Sequence, residues 1–328
     1  MADQYPKVRL AAVQASPVFL NREATVEKAC RLINEAGKSG AKIIGFPECF
    51  IPAFPHWYQF LPSEDSECKR FYKELFKNAV VIPSPVTEAL CRAAKEADAY
   101  VVIGINEKDA GALGTLYNTQ LFIGRDGQIL GKHRKIVPTK YERLVHGAGD
   151  GSTMRVFQTS YGELGGLICG ENTNSLARFA LIAKGEKFHV ASWPAFATRQ
   201  TQFLHETIDL RARFHAYEAK NFVISVTGIF SEEMKEILCQ TPEMKAAIAG
   251  DGGHSSIIGP KGQFLAGPLL QGEGIIYADA DLEDIVEAKM QHDIIGHYNR
   301  FDIFRLYVNE EELVPLHRGG PGERPPKV

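Results

Sequence analysis

Apolar runs that alternate with amphipathic stretches divide the chain into two similar halves. Nearly all-apolar, β-branched runs predict strands, and apolar residues with helical spacing predict helices between them. The elements predicted in the first half are strand 8–16, helix 22–38, strand 41–48, helix 86–98 and strand 99–106. Those predicted in the second half are strand 163–169, helix 174–185, strand 188–193, helix 199–219 and strand 221–228. The order of elements is the same in both halves.

A short repeat closes each half. The segments "LFIGRDGQIL" (121–130) and "SIIGPKGQFL" (256–265) match at a constant offset of 135 residues. Both are typical of two strands around a tight turn, with Asp126-Gly127 and Lys261-Gly262 at the bend. The matching pairs are Ile123/Ile258, Gly124/Gly259, Gly127/Gly262, Gln128/Gln263 and Leu130/Leu265.

The strand composition predicts the fold class. Strands that are apolar on both faces must be covered on both faces, whereas the amphipathic helices bury only one. We therefore expect an α/β protein, a four-layer α-β-β-α sandwich with two pseudo-symmetric halves. No Pro/Gly/Ser-rich linker separates the halves, so we expect one domain over 1–310 and a loose C-terminal tail over 311–328.

Two insertions, 49–80 and 229–250, are not required by the repeat. Each follows a predicted strand end and each is partly helical by pattern. Insertions at such places tend to carry specificity or assembly contacts.

Charge and composition exclude several classes of function. The formal net charge is −3 and no Lys/Arg block occurs, so nucleic acid is not expected as a partner. No apolar segment approaches the roughly 18 residues of a membrane span, and the start does not resemble a signal peptide, so we expect a cytoplasmic protein without membrane contact. The six cysteines show no CxxC pair, and the ten histidines show no zinc-ligand spacing. We expect reduced thiols, no metal and no cofactor.

Three reactive side chains stand at predicted strand ends. Glu48, Lys135 and Cys169 would reach one shared sheet edge. Each has an alternative explanation: a charge at a helix N-terminus, a solvated hairpin end, or a buried thiol. Together they fit nucleophilic catalysis. A thiol with a pKa of about 8.5 is mostly protonated at neutral pH, so it needs a nearby base or cation to become an efficient nucleophile.

The segments around these three residues resemble the motifs of the nitrilase superfamily, whose members are carbon-nitrogen hydrolases. The glutamate motif is echoed by "GAKIIGFPECFIPAFP", the lysine motif by "HRKIVPTKYERLVHGAGDGS" and the cysteine motif by "GGLICGENTNSLAR", and the likeness runs from about residue 8 to 307. The resemblance implies that Glu48 is the general base, Lys135 the electrostatic stabiliser and Cys169 the nucleophile. It also implies that Glu142 orients the lysine, and it agrees with the four-layer sandwich.

The lysine motif resembles true nitrilases more than amidases. The resemblance implies hydrolysis of an organic nitrile to a carboxylic acid and ammonia through a covalent thioimidate and acyl intermediate on cysteine. Three positions depart from the family pattern: Gly170 and His146 stand where tryptophan is common, and Phe301 stands where proline is usual. Gly170 would ease the turn and leave space beside the thiol.

Substrate contacts are expected from two aromatic groups and from Gly170. Their alternative role is core or dimer packing, because aromatic residues dominate both. The candidate side chains are Phe54, Trp57 and Tyr58 after Glu48, and Trp193, Pro194 and Phe196 after the strand that follows the cysteine helix.

Other functions stay open at this point. An amidase of the same superfamily would use the same triad without a thioimidate, and a non-catalytic assembly protein or a redox-sensing thiol would not need all three residues. The resemblance also implies at least a homodimer, formed through an outer helical layer. The sequence does not identify the nitrile, the chirality of the substrate or the physiological role.

Overall fold

The computed structural model describes residues 3–314 and 316. Its strands are β1 (Lys7–Gln14), β2 (Ile43–Gly45), β3 (Tyr100–Lys108), β4 (Leu116–Ile123), β5 (Ile129–Arg134), β6 (His146–Gly147), β7 (Phe157–Thr159), β8 (Gly162–Ile168), β9 (Glu186–Trp193), β10 (Phe222–Thr227), β11 (Ser255–Ile258), β12 (Phe264–Leu269) and β13 (Gly274–Asp281). Its α-helices are α1 (Arg22–Lys38), α2 (Ser66–Asn78), α3 (Pro85–Ala97), α4 (Ser175–Ala183), α5 (Leu204–Ala219), α6 (Glu232–Leu238), α7 (Pro242–Ala247) and α8 (Glu283–Lys289).

The strands form two sheets of matching design. The first has the order β13-β1-β2-β3-β4-β5, with β6 beside β4, and the second has the order β12-β11-β10-β9-β8-β7. In each sheet three central strands are parallel, β1-β2-β3 and β8-β9-β10, and the hairpin strands join antiparallel. The predicted pair of halves is confirmed. The edge strands β7 and β13 were not predicted, and β13 returns from the second half to pair with β1.

Alternate residues along the strands face different layers, as the strand period of two requires. Apolar side chains on one face of β1 lie between the two sheets, and those on its other face pack against α1 and α3. The inter-sheet core includes Val8, Leu10, Ala12, Val102 and Phe122 from the first sheet with Leu164, Phe188, Val190 and Ile224 from the second. The helix-facing core includes Ala11, Val13, Ile44, Val101 and Ile103.

The second sheet is covered by α5 and α4. Trp193 and Val223 pack with Ile208 and Ala212 of α5. Helices therefore lie outside both sheets, and the predicted four-layer α-β-β-α sandwich is confirmed. Helix α1 has the predicted bounds, with Asn21 capping its first turn. Helix α5 begins later than predicted because residues 198–203 form turns before it.

The two repeat hairpins have the same turn. Gly127 and Gly262 adopt φ of +81° and +75°, a region that favours glycine. In both turns the first glycine donates its N–H to the glutamine carbonyl four residues later, at 2.8 Å for Gly124 and 2.9 Å for Gly259. The sequence repeat thus encodes a repeated backbone turn.

The two insertions pack against each other rather than standing apart. Trp57 and Phe71 of the first insertion share an apolar cluster with Phe230, Met234 and Leu238 of the second. Trp57 is fully buried and stacks on Phe71 with ring centroids 5.5 Å apart. This cluster covers one end of the sandwich.

Among the described residues no helix combines the length and the apolar character needed to cross a membrane. The domain boundary at 310 stays a prediction. Most of the predicted tail, namely 315 and 317–328, lies outside the described residues.

Gly104 of β3 supports the segment that carries Glu48, and it offers a test of the fold. A Cβ at this position would lie 2.2 Å from the Pro47 carbonyl oxygen and 2.6 Å from the Cys49 nitrogen. We expect Gly104→Ala to lower the free energy of unfolding by about 1–3 kcal/mol, because backbone must move. Chemical denaturation measures this. The control is Gly111→Ala in an exposed turn, with a change within about 0.5 kcal/mol. Equal stability of both variants would contradict this account of the support.

Candidate active site

The three strand-end residues of the sequence analysis meet in the structure. Glu48 follows β2, Lys135 directly follows β5, and Cys169 directly follows β8. The Lys135 ammonium lies 2.8 Å from Glu48 Oε1, with both side chains fully buried. The charges of Glu48 and Lys135 also act on the Cys169 thiol. Residues from both sheets therefore share one site.

Lys135 is held by two carboxylates. Besides Glu48, it donates to Glu142 Oε1 at 2.9 Å and to Glu142 Oε2 at 2.8 Å. Glu142 lies on a 3₁₀ turn over Lys140–Leu144 and also accepts the Thr139 N–H at 2.8 Å. The hydrogen bond from Thr139 anchors the Glu142 carboxylate to the backbone, and the anchored carboxylate in turn fixes the position of the Lys135 ammonium. Such buried pairs persist only when their hydrogen bonds are satisfied.

Asn118 of β4 is a site residue that the sequence analysis missed. Its buried amide nitrogen donates to Glu48 Oε1 at 2.6 Å and to Glu142 Oε1 at 2.9 Å. Its backbone carbonyl accepts the Lys135 N–H at 2.8 Å. The available signal was a polar run, Asn118 to Gln120, inside an otherwise apolar strand.

The two carboxylates differ in their pKa values. Burial raises the pKa of Glu48 to about 8, against the opposing attraction of Lys135. Burial acts in the same sense on Glu142, but the charge and hydrogen bonds of Lys135 hold the pKa of Glu142 below its ordinary value. Lys135 remains charged, because both carboxylates raise its pKa well above the ordinary value despite burial. Glu142 is thus the ionised counter-ion of Lys135 at neutral pH, whereas Glu48 has the raised pKa.

Cys169 begins a 3₁₀ turn over Cys169–Thr173. Burial raises the pKa of its thiol above the ordinary range; Glu48 adds to the rise and Lys135 opposes it. The resting thiol therefore keeps its proton. Glu48 Oε2 is a buried oxygen without a hydrogen-bond partner in the described structure.

Three of the six non-glycine residues that have a left-handed φ in the described part of the chain lie in the motif segments. Cys49, Lys140 and Cys169 have φ of +49°, +50° and +51°, which non-glycine residues seldom adopt. Each lies in one of the three motifs. Strain of this kind persists where the surrounding structure enforces it, and it is frequent at functional sites.

Gly170 does not have the unusual φ for which glycine was expected; the left-handed residue of this turn is Cys169. A β-carbon at position 170 would lie 3.2 Å from Thr139 Oγ1, a close but adjustable contact. The glycine therefore leaves space between the thiol turn and the lysine motif.

Two of the candidate substrate contacts lie beside Glu48. Phe54 and Pro194 line a narrow cavity with this glutamate, and the Phe54 ring packs on His56 with centroids 4.9 Å apart. The cavity measures about 10 Å³, enough for about one water molecule.

The other aromatic candidates have packing partners of their own. Trp57 is inside the cluster formed by the insertions, and Tyr58 is half-buried beside it. Trp193 is fully buried and donates its indole N–H to Ser225 at 3.0 Å. Phe196 belongs to the cluster that includes Trp193 and residues of α5 and that packs against Cys169.

The two other departures from the family pattern have different surroundings. His146 is buried, its Nε2 lies 2.8 Å from Asn106 Oδ1, and its Nδ1 lies 4.0 Å from Glu142. Burial lowers the pKa of His146 to about 4, so the ring is neutral at physiological pH. Phe301 lies in an exposed turn after β13 and α8.

A second buried polar cluster is connected to the cysteine turn by hydrogen bonds through Asn172. Glu186 accepts hydrogen bonds from His189 and His215, each at 2.8 Å, and the two histidines hold its pKa at about 2 although burial opposes ionisation. His189 Nε2 lies 2.9 Å from Asn172 Oδ1, and the Asn172 amide donates to the Cys169 carbonyl at 3.1 Å. The sequence spacing gave no hint of this cluster.

Glu186, His189 and His215 could in principle hold a metal ion, since their ligand atoms lie within 4.8 Å of one another. One nitrogen of each histidine is already paired with a Glu186 oxygen, and His189 Nε2 is paired with Asn172. The two imidazole rings stack with centroids 3.9 Å apart, an arrangement that suits a hydrogen-bonded cluster.

Comparison with known proteins gives a consistent result. The family model described as carbon-nitrogen hydrolase matches residues 9–290. A nitrilase of Bacillus sp. (strain OxB-1) is 39% identical over 96% of this chain and 92% of its own length. An aliphatic nitrilase of Rhodococcus rhodochrous is 37% identical over 94% of this chain and 84% of its own length.

Solved structures agree on the fold. A carbon-nitrogen hydrolase of Helicobacter pylori G27 superposes with a TM-score of 0.70 at 20% identity, covering 87% of this chain and 92% of that one. Nit3 of Saccharomyces cerevisiae, a member of branch 10 of the nitrilase superfamily, gives 0.67 at 24% identity over 88% and 95%. The expected fold, family and enzyme class are confirmed: the chain belongs to the carbon-nitrogen hydrolase family.

Proposed function

We propose that this hydrolase converts an organic nitrile to the carboxylic acid and ammonia, with Cys169 as the nucleophile. The observation that carries the proposal is the buried ammonium of Lys135, shared by Glu48 and Glu142 beside a protonated thiol. The relatives of known function named above are nitrilases, in agreement with the sequence expectation. They do not favour the amidase alternative.

The first step joins sulfur to carbon. Cys169 Sγ attacks the nitrile carbon while Glu48 Oε2 takes the thiol proton. The same proton passes to the nitrile nitrogen, so that the triple bond becomes the C=N–H bond of a thioimidate. Lys135 and the Gly170 N–H stabilise the negative charge that develops on this nitrogen.

Two water molecules complete the reaction. The first adds to the thioimidate carbon, and the tetrahedral species expels ammonia after protonation of nitrogen, leaving an acyl-thioester. The second, activated by Glu48, attacks the acyl carbon and releases the carboxylic acid and the free thiol. No step requires a metal or an organic cofactor.

Substrate contact is proposed for the side chains that border the reacting groups. Phe54 and Pro194 lie beside Glu48, and Phe196 lies in the cluster that contacts Cys169. Gly170 contributes space and its backbone N–H rather than a side-chain contact. Trp57, Tyr58 and Trp193 are proposed to act through the packing of the pocket wall, since their own surroundings are core-like.

The free thiols and the charge pattern support a cytoplasmic location. All six cysteines are unpaired in the structure. Disulfides are rare in the reducing cytosol, so the absence of pairing suits that compartment.

The central test compares a nitrile with its matched amide. We expect the nitrile to give mainly acid and ammonia and the free amide to be a poor substrate, because Lys135 and the glutamates keep nitrogen protonated and make it the better leaving group. Chromatography of the products and ammonia release measure both. Rapid turnover of the amide with an inert nitrile would place the enzyme among the amidases.

The same assay tests the nucleophile. Cys169→Ala is expected to abolish turnover and the covalent adduct seen by intact mass, with the fold retained. Cys91→Ala on α3, remote from the site, is the matched control and keeps both. Turnover by Cys169→Ala near the wild-type rate would rule out the assignment of Cys169.

The raised pKa of Glu48 predicts a pH dependence. The base works only when deprotonated, so kcat/KM should fall as the pH drops below about 8, the pKa of Glu48. Asn118→Leu removes a donor that stabilises the charged carboxylate, and should move this limb to higher pH. Asn221→Leu, which removes a similar amide donor from Glu186, should leave the acidic limb of the kcat/KM profile unchanged. An unchanged limb in Asn118→Leu would show that another group controls it.

A homodimer through the outer face of α4 and α5 is also proposed. This face exposes Leu176, Leu210, Phe214 and Tyr217, a larger apolar group than single exposed residues provide. We expect light scattering at micromolar concentration to show at least a dimer, and Leu210→Glu with Phe214→Glu to give monomers. Val286→Glu on α8 is the control and should not change the mass. A wild-type monomer would contradict the proposal.

A further inference from the structure

The carboxylate of Glu171 joins the two strand ends that carry the lysine and the cysteine. It lies on the cysteine turn, and its side chain is buried. Oε1 accepts the N–H of Ile136, the residue after Lys135, at 2.5 Å. Oε2 accepts the N–H of Ile168, the residue before Cys169, at 2.9 Å. One side chain therefore holds the backbone on both sides of the site.

The two strands that it joins belong to different sheets. Lys135 follows β5 of the first sheet, and Cys169 follows β8 of the second. Their separation is therefore not set by a sheet ladder. Within the described structure, Glu171 is bonded directly to the backbone next to each of them, across the interface between the sheets.

A third partner fixes the carboxylate itself. The His133 Nε2 lies 2.9 Å from Glu171 Oε2, and His133 precedes Lys135 on the same strand. Three donors thus converge on two oxygens. A carboxylate suits this place because it is an acceptor at both oxygens, whereas an amide would direct its NH₂ group toward one of the donors.

We propose that Glu171 is a positioning residue that sets the distance between the Lys135 ammonium and the Cys169 sulfur. It touches neither the substrate nor the reacting atoms. Its contribution is indirect, because a misplacement of about 1 Å in a catalytic group can cost about 100-fold in rate. The inference rests on the proposed roles of Lys135 and Cys169.

The test is Glu171→Gln, with kinetics of nitrile hydrolysis well below the melting temperature. We expect kcat to fall by about 10–100-fold while KM stays within threefold, because the transition state loses its alignment and the ground-state pocket is kept. The rate of Cys169 alkylation by iodoacetamide should fall as well, because the lysine no longer faces the thiolate correctly. A kcat within threefold of wild type would overturn the proposal.

The matched control is Glu107→Gln. Glu107 is another buried carboxylate, with Lys132, Arg134 and Thr119 as partners, and it makes no contact with the cysteine turn. This variant should lose a similar amount of thermal stability while kcat stays within threefold. A fall in kcat equal to that of Glu171→Gln would assign the effect to general loss of stability and overturn the positioning role.

A second variant covers failure of Glu171→Gln to fold. His133→Leu removes only the ring donor and leaves both backbone hydrogen bonds, so we expect a smaller fall in kcat, about 3–10-fold, with KM unchanged. An unchanged kcat would overturn the proposal. Cys169→Ala and Lys135→Met are assayed in parallel: activity in either would reject the proposed function, whereas inactive variants beside a fully active Glu171→Gln would reject only this inference.

Discussion

A single buried ammonium shared by two carboxylates is the interaction on which the site depends. Lys135 contacts Glu48 and both oxygens of Glu142, and Asn118 bridges the same two glutamates. Removing one member of such a group leaves an uncompensated charge in a dry interior, which costs about 3–5 kcal/mol. The glutamate and lysine motifs are therefore tied together by electrostatics, and the loops that carry them must keep fixed positions.

The sandwich provides those fixed positions at a cost in backbone strain. Its sheets deliver Lys135 and Cys169 from opposite layers, and the chain must leave each strand abruptly to turn the side chain into the site. A left-handed φ occurs at Cys169, directly after β8, and at Cys49 and Lys140 in the segments that follow β2 and β5. Dense packing of the core beneath these turns opposes their relaxation, because interiors transmit strain rather than absorb it. Strain, burial and charge thus act on the same three short segments.

The cysteine turn is held from two sides by polar side chains. Glu171 accepts the N–H of Ile136, the residue after Lys135, and Asn172 donates to the Cys169 carbonyl. Asn172 is itself hydrogen-bonded to His189, which is hydrogen-bonded to Glu186. Buried groups of this kind are costly unless every partner is present. The proposed role of Cys169 requires an accurately placed base, because burial raises the pKa of its thiol, and rigid support of the turn suits that role.

The sequence by itself determined the layers and the repeat, and it brought out Glu48, Lys135, Glu142 and Cys169 as the candidate site residues, whose roles stay predictions. The spacing of apolar residues, the position of a residue at the end of a strand and a short motif can all be read from neighbouring residues in the sequence. The return of β13 to β1, the bridge made by Asn118 and the burial of Trp57 between the insertions were decided only in the tertiary structure. Each joins segments far apart in the chain, and a polar residue in a strand or an aromatic residue in a loop does not show its partner. Local patterns specify which side chains of a segment can be buried or can donate hydrogen bonds. The packing of distant segments decides which residues those side chains contact.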